Sequence, residues 1–518
     1  MTTATKPRNI RLLASFFTVS SWTLASRIMG FVRDIMIAAF FGAGPVAEAF
    51  QVAFALPNMF RRFFAEGAFN MAFVPMFSKK LESGEDARQF AQNAMAGLAS
   101  LLIALTLIAQ VFMPWFVLAM ASGFAGDERF ELSIDFARIC FPYILFISLA
   151  ALLSGVLNSM GRFAAAAAAP VVLNIILIAA MALTWALDGN VALALAWGVP
   201  AAGIAQLGLV WIAASRAGIR LLPQLPRFTP EMRRLAMIAA PAALAGGVVQ
   251  VNLLVGRQVA SYFDGAIQWL AVADRLYQLP LGVVGIAIGV VLLPDLSRKL
   301  QSGDEDGGRY AFNRAAEFAL ALTLPAAVGL LVVPQAVVSV LFERGAFTAA
   351  DAHNTAAALS IYAIGLPAFV LQKVFQPLYF AREDTKTPFY FAIVSMVLNA
   401  GLAIGLAAHF GYLAAAIGTT LSSVALAVLL YFGTRRMGLA AAFDDRLKHA
   451  IPRMLIASVI MGICTYGLEL LLKDWLATSG LRYLALAILV CGGTGIYFAA
   501  CLGLGAFTKQ GLRNFVRR

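Results

Sequence analysis

Five arginines of this sequence lie inside long apolar runs or near their ends, where a charged side chain is costly. They are Arg27, Arg33, Arg61, Arg257 and Arg275. An arginine in hydrocarbon costs from about 3 to more than 10 kcal/mol, so each of them needs water, a partner or a ligand of opposite charge. Guanidinium groups bind phosphate and carboxylate oxygens in a bidentate manner. These residues therefore predict a polar cavity at membrane depth that holds an anionic substrate.

The first two of these arginines share the segment SRIMGFVRD, Ser26–Asp34, within an apolar run that is long enough to cross a bilayer. Six residues on a helix correspond to about 120° of rotation and about 9 Å of rise. Arg27 and Arg33 therefore do not share a narrow stripe. Their long side chains are nevertheless expected to reach one cavity from both flanks of a wide helix face.

Other charged residues at similar depth are the predicted partners in this cavity. They are Asp34, Glu48, Glu66, Asp274 and Lys373. Structural alternatives remain open at this stage: Arg33 could form an ion pair with Asp34 or Glu66. Snorkelling of the side chain to the membrane interface would equally explain Arg61 or Lys373.

The composition defines the elements that must position these side chains. Of the 518 residues, 61% are hydrophobic and 13% are charged, and the mean hydropathy is +0.82. A soluble domain has about 45–50% apolar and about 25% charged residues. Apolar runs of about 20 residues recur from end to end. We therefore predict an all-α polytopic membrane protein with about 14 transmembrane helices.

The distribution of basic residues predicts the orientation of these helices. Of 39 Lys and Arg residues, 27 fall in both termini and the even-numbered loops, four fall in the opposite loops, and eight lie in or near the predicted spans. Cytoplasmic loops are enriched in Lys and Arg, so both termini are predicted to be cytoplasmic. The net charge of +12 is spread over many short loops, which argues against a nucleic-acid partner.

An internal repeat divides the chain into halves. FVPMFSKKLESG at 73–84 matches LLPDLSRKLQSG at 292–303, with an offset that spans about six helices. A second pair of similar segments, VVLN ending at Asn174 and MVLN ending at Asn399, extends the repeat. The repeat predicts two six-helix bundles in parallel duplication, at 1–222 and 223–440. Residues 441–518 then contain two extra helices and a basic tail.

Several motifs together resemble one known family. They are SRIMGFVRD (Ser26–Asp34), FGAG (Phe41–Gly44), LPNMFRRFFAEGAFNMAFVP (Leu56–Pro75), ADRLYQLPLGVVGIAIG (Ala273–Gly289), FERGAFTA (Phe342–Ala349) and AREDTKTP (Ala381–Pro388). With these motifs the chain resembles the MurJ (MviN) lipid II flippases of the multidrug/oligosaccharidyl-lipid/polysaccharide exporter superfamily. The resemblance runs through the whole chain, including the two extra C-terminal helices.

The resemblance implies a carrier in the cytoplasmic (inner) membrane that moves lipid II, an undecaprenyl-diphosphate-linked disaccharide-pentapeptide, from the inner to the outer leaflet. Arg27, Arg33, Arg61 and Arg275 match cavity positions of the family, Arg257 is added from the repeat, and an acidic position that is usually Asp is Glu48 here. The extra helices imply a groove for the isoprenoid tail. Membrane lipids and cell-wall synthesis proteins are the other candidate partners.

Other classes of protein remain as alternatives to this resemblance. No nucleophile–base pair or metal-ligand spacing is recognisable in the sequence, which favours a transporter over an enzyme. No cofactor is expected, apart from a monovalent cation that could couple transport. An exporter of drugs or of another lipid-linked oligosaccharide within the same superfamily is the runner-up.

Overall fold

The structure is a computed structural model that describes residues 8–61, 70–287 and 293–507. In these residues the chain forms helices and, apart from an isolated bridge between Arg344 and Phe347, no β structure. In chain order, α1 to α19 are Arg8–Phe41, Pro45–Arg61, Asn70–Ser83, Ala87–Met120, Glu128–Cys140, Tyr143–Ser159, Ala164–Ala186, Val191–Arg216, Pro230–Ala260, Ala266–Ala287, Leu293–Gln301, Glu305–Val332, Pro334–Phe342, Ala349–Phe380, Lys386–Phe410, Leu413–Thr434, Asp445–Leu471, Lys473–Ala477 and Arg482–Gly503.

Ten helical stretches within the described residues are long and apolar enough to cross a membrane. They agree with the predicted all-α polytopic fold, and the count of 14 stays a prediction. α1, α2, α9 and α10 are not among the ten. These four helices carry all five of the predicted site arginines.

The chain forms two compact units, Met1–Val251 and Asn252–Arg518, with the division inside α9. In the first unit α8 packs on α6 and α7, and α6 packs on α4. In the second unit α16 packs on α14 and α15, and α14 packs on α12. The same order and pairing of helices therefore recurs in the two units. α17 and α19 pack on each other and on α12. The predicted boundaries at 222 and 440 fall between α8 and α9 and between α16 and α17.

The matched repeat segments form the same turn in both units. Gly84 and Gly303 have φ values of +72° and +75°, a left-handed conformation that a residue without Cβ adopts at little cost. Asp86 and Asp304 follow, and each accepts a backbone N–H bond at the start of the next long helix. The polar identities of the repeat thus encode a helix end and the following helix start.

An ion-pair cluster near this turn fixes the start of α9. The Lys80 ammonium lies 2.7 Å from Glu231 and 2.6 Å from Glu85. Hydrogen bonds to these two carboxylates, first to Glu231 and then to Glu85, raise the pKa of Lys80, and the bond from Lys80 lowers the pKa of Glu85. The first turn of α9 is therefore tied to the last turn of α3.

Close packing of α8 on α6 depends on a glycine. A Cβ at Gly203 would lie 2.8 Å from Cδ2 of Tyr143 and 3.0 Å from Cβ of Phe146. The buried Tyr143 ring cannot easily yield, because its hydroxyl is bonded to Gln206, and Gln206 donates in turn to the carbonyl of Ala169. Small residues allow such close approach between helices in membranes.

We expect Gly203→Ala to lower the free energy of unfolding by about 1–3 kcal/mol, the usual cost of overpacking. Gly208→Ala in the same helix is the matched control, because no atom lies within 4 Å of its added Cβ. It should be neutral or stabilising by up to about 1 kcal/mol. Thermal unfolding of the purified variants in one detergent compares them, and equal midpoints would contradict the packing described for Gly203.

Candidate functional site

Arg33 donates hydrogen bonds from all three of its guanidinium nitrogens. Its Nε and Nη2 donate to Oδ1 of Asp34 at 3.0 and 2.7 Å, and its Nη1 donates to Oδ1 of Asn174 at 2.9 Å. The guanidinium also lies 5.7 Å from the ring centroid of Phe54. The residue is buried, and its charge is balanced by Asp34 of α1, while Asn174 of α7 accepts a hydrogen bond without adding charge. The structural ion pair with Asp34 is thus present, and the remaining guanidinium nitrogen, Nη1, is bonded to the neutral side-chain amide of Asn174.

Asn174 on α7 holds α1 at two points. Its Oδ1 accepts from Arg33, and its Nδ2 donates to the carbonyl of Ser26 at 3.1 Å. Gly30 of α1 faces the same asparagine, since a Cβ there would lie 3.5 Å from Nδ2 of Asn174, an ordinary contact distance. The sequence does not identify this asparagine as a functional candidate, although the echo VVLN and MVLN in the two halves marks its position.

The other predicted residues of the first unit lie in different surroundings. Arg27 is exposed on α1. Arg61, half-buried in the last turn of α2, donates from Nε to Oδ1 of Asn58 at 3.3 Å. Glu66 lies outside the described residues, and with it the predicted pair between Glu66 and Arg33.

Glu48 has an arginine partner that the sequence does not reveal. Its Oε2 accepts from Nη1 of Arg129 at 3.0 Å, and both side chains are buried. Arg129 also pairs with Asp127 at 2.5 Å and stacks 4.4 Å above the ring of Phe124. Because 81 residues separate Glu48 from Arg129, no local spacing could signal the pair. The cluster joins α2 to α5.

The second unit gathers three of the predicted site residues. Asp274 on α10 interacts electrostatically with Arg275 and Arg257, and it accepts hydrogen bonds from Tyr277 and Gln278. One carboxylate thus interacts with guanidinium groups from two helices. The role of Asp274 as the orienting partner of Arg275 stays a prediction.

Aromatic rings pack against Tyr277, whose hydroxyl is hydrogen-bonded to Asp274. Tyr277 is buried and stacks on Tyr362 and Phe369 of α14, with centroid separations of 5.1 and 5.4 Å. The sequence singles out neither tyrosine. Lys373 lies on the same long helix α14 but is exposed.

The asparagine contacts give the register of the two repeats. Asn399 on α15 donates to Oδ1 of Asn252 at 2.7 Å, as Asn174 donates to the carbonyl of Ser26. The two asparagines are 225 residues apart and their partners 226. This offset aligns Arg33 with Gln258 or Val259, so Arg257 presents a different face of α9 from the one that Arg33 presents on α1.

These arrangements suit recognition of an anion. In each unit a carboxylate interacts with at least one guanidinium group, and guanidinium forks bind phosphate oxygens in pairs. In the described residues no group of three or more His, Cys, Asp or Glu side chains could hold a metal ion.

Comparison with known proteins identifies relatives over almost the whole length. The profile of a family described as lipid II flippase MurJ matches residues 37–486. A probable lipid II flippase MurJ of Rhizobium meliloti (strain 1021) is 45% identical, with 98% of this chain and 96% of the relative aligned. The lipid II flippase MurJ of Burkholderia cenocepacia is 34% identical over 88% of this chain and 90% of its own.

Solved structures share the fold. A lipid II flippase MurJ in an inward closed conformation matches with a TM-score of 0.78 and 26% identity, covering 93% of this chain and 97% of that chain. An inward-facing multidrug resistance transporter of the MATE family matches with a TM-score of 0.66 at 14% identity, over 82% of this chain and 98% of that one.

The fold and the buried cations define a multi-pass helical membrane transporter of the kind seen in these structures. Within that class the relatives are more specific. The chain belongs to the lipid II flippase MurJ family.

Proposed function

We propose that this protein is a lipid II flippase, which moves the undecaprenyl-diphosphate-linked peptidoglycan precursor from the inner to the outer leaflet by alternating access. Membership of the MurJ family is the observation that carries this proposal. The chemistry of the site agrees with it. A diphosphate carries about two negative charges, and arginine forks bind its oxygens in pairs.

We further propose that the membrane is the cytoplasmic (inner) membrane and that both termini face the cytoplasm. The count of 27 basic residues against four in the two sets of loops supports this orientation. Membrane lipids then surround the ten apolar stretches, and cell-wall synthesis proteins remain candidate partners.

In the proposed mechanism the protein binds and releases its substrate without changing a covalent bond. The headgroup cannot cross hydrocarbon unaided, because its polar groups would lose their hydrogen bonds. Arg33 and Arg275 would neutralise the diphosphate and the peptide carboxylates, with Asp34 and Asp274 holding the guanidinium groups in place. The energy would come from a coupling monovalent cation or from the membrane potential, which is worth about 2.3 kcal/mol per charge per 100 mV.

The alternative is an exporter of drugs or of another lipid-linked oligosaccharide. MATE-type exporters share the fold at low identity. A cavity for cationic drugs would favour acidic side chains, whereas the five predicted site residues here are arginines. The test is growth rescue in a bacterium depleted of its own flippase. Rescue by the wild-type chain supports lipid II transport, and failure at normal membrane levels favours the alternative.

We expect Arg275→Ala to reduce growth rescue by at least tenfold in colony count, because Asp274 then loses a guanidinium partner and the substrate loses a phosphate ligand. Arg275→Lys should rescue partially, since it keeps the charge without the planar fork. Arg436→Ala is the control, because it removes an exposed cation that is not among the predicted cavity residues and should rescue within twofold of wild type. Full rescue by Arg275→Ala at matched membrane levels would remove Arg275 from the site.

A further inference from the structure

Two arginines converge on one tyrosine at the start of α19. The guanidinium carbon of Arg482 lies 5.2 Å from the ring centroid of Tyr483, and that of Arg344 lies 5.9 Å from the same centroid. Nη2 of Arg482 donates to the Tyr483 hydroxyl at 3.3 Å, and Arg344 interacts with the same hydroxyl. The two positive charges are therefore close to one oxygen atom.

Only neutral acceptors surround these two charges in the described part of the chain. Arg344 donates from Nη2 to the carbonyls of Val340 and Leu341, at 2.9 and 2.7 Å. Arg482 donates from Nη1 to the carbonyl of Glu343 at 3.3 Å. Neither arginine has a carboxylate within ion-pair distance among residues 8–61, 70–287 and 293–507, and the Nε of each is buried without a hydrogen-bond partner.

Several other arginines of the protein are paired with acids, whereas Arg309 and Arg382 donate to backbone carbonyls, as Arg344 and Arg482 do. Arg33 pairs with Asp34, Arg129 with Glu48 and Asp127, and Arg314 with Glu317 and Asp444. Two neighbouring cations that share neutral acceptors repel each other, and the repulsion is relieved by an anion. Guanidinium groups that converge on one point suit the several oxygens of a phosphate.

The surroundings hold this pair in place. The segment that carries Arg344 follows α13, and α13 packs on α19. The bond from Arg482 to the carbonyl of Glu343 joins the first turn of α19 directly to that segment. The two guanidinium groups are therefore held together within the second unit by two stretches of chain, the turn after α13 and the start of α19.

Few basic residues are found in the loops on this side of the membrane. The loops on the side opposite the predicted cytoplasmic face hold only four basic residues: Arg129, Arg344, Lys473 and Arg482. Arg129 is used in the buried pair with Glu48. The other three belong to α18, the start of α19 and the turn after α13, so the remaining positive charge of that side is concentrated there.

We propose that Arg344, Tyr483 and Arg482 form a binding site for a phosphate group, supplied by a phospholipid headgroup at the membrane surface. The proposed topology, with both termini in the cytoplasm, places this site at the outer leaflet. The phosphate site itself does not depend on that topology. The chemistry would also accept free diphosphate, and the experiment separates the two sources. In this role the site holds a phosphate beside the extra helices, on elements other than those that carry the five predicted site arginines.

The test measures ligand retention by native mass spectrometry on the purified, delipidated full chain. The probes are phosphatidylglycerol, diacylglycerol as its phosphate-free counterpart, and inorganic diphosphate. We expect phosphatidylglycerol to bind at least tenfold more tightly than diacylglycerol. The double variant Arg344→Gln/Arg482→Gln should weaken phosphatidylglycerol binding at least tenfold. Binding of diphosphate with no preference for phosphatidylglycerol would overturn the lipid as the source.

Arg435→Gln is the matched control. Arg435 also stacks on aromatic rings, 4.7 Å from the Phe432 centroid and 5.3 Å from that of Tyr431. It is exposed, however, and within the described ranges no second guanidinium stacks on these rings. This variant should bind phosphatidylglycerol within twofold of wild type. An equal loss in this control, or unchanged binding in the double variant, would overturn the site.

Lysine variants decide the question should the double glutamine variant fail to fold. Arg344→Lys and Arg482→Lys keep both charges but lose the forks, so an intermediate loss of about threefold to tenfold is expected. Wild-type binding in both lysine variants and no preference for the phosphate-bearing lipid would contradict the proposal. Because binding is measured without transport, its failure is distinguishable from failure of growth rescue.

Discussion

Arg33→Ala is expected to abolish growth rescue in a flippase-depleted bacterium, and Arg33→Lys to rescue only in part. Alanine removes all three bonds to Asp34 and Asn174 and leaves the largely buried Asp34 without its cation. Removing one member of a buried pair costs about 3–5 kcal/mol, and the partial exposure of Asp34 reduces this to about 2 kcal/mol. A lysine can approach either Asp34 or Asn174, but it has no planar fork that serves both at once.

The double variant Arg33→Met/Asp34→Asn separates the substrate role of Arg33 from its structural role. It removes both charges while keeping similar volumes, and such replacements are often neutral for stability. We expect its thermal midpoint to return close to wild type while growth rescue stays below a tenth of the wild-type colony count. Normal rescue by this variant at matched membrane levels would show that Arg33 serves only the packing of α1.

Arg129→Met is expected to cause a larger loss of stability than Arg33→Ala or Gly203→Ala. Glu48 is 1% exposed, so its charge would lose the Arg129 guanidinium in the interior, at a cost of about 3–5 kcal/mol. Thermal unfolding in detergent, followed by the monodispersity of the heated sample, measures the effect. Glu48→Asp should also destabilise, because the shorter side chain falls about 1.5 Å short of Nη1 of Arg129.

Asp127→Asn is the control for this prediction. Asp127 contacts the same guanidinium, but its side chain is 38% exposed, and exposed pairs contribute about 0–1 kcal/mol. Its midpoint should therefore stay near that of wild type, while Glu48→Gln/Arg129→Gln should recover most of the loss. Equal effects of Asp127→Asn and Arg129→Met would show that burial of Glu48 does not set the energy of this cluster.

The helical fold is predictable from the sequence because each segment that crosses the membrane needs a long run of apolar residues. Runs of about 20 apolar residues favour helices, since the backbone groups of a helix are bonded internally. The repeat is visible because Gly84 and Gly303 must adopt positive φ values and the acids that follow cap helices. Local requirements of this kind leave traces in short windows of sequence.

The partners within the site are harder to predict because they are distant in sequence. The bond of Arg33 to Asp34 joins neighbours and is one of the alternatives that the sequence leaves open, whereas Asn174 is 141 residues away. Glu48 is recognisable as an acid at membrane depth, but Arg129 falls in a predicted loop and its burial depends on how α2 and α5 pack. Tertiary packing decides which cation pairs with which acid. The sequence around a single charged residue therefore does not identify its partner.

The asparagines of the two repeats have a mechanical consequence. Asn174 holds α1 at two residues about two turns apart, whereas Asn399 contacts α9 at Asn252, through both its backbone and its side chain. A helix that is held at two points resists tilting relative to the helix that holds it. Within the first unit, α1 therefore tilts only together with α7 or after losing a bond.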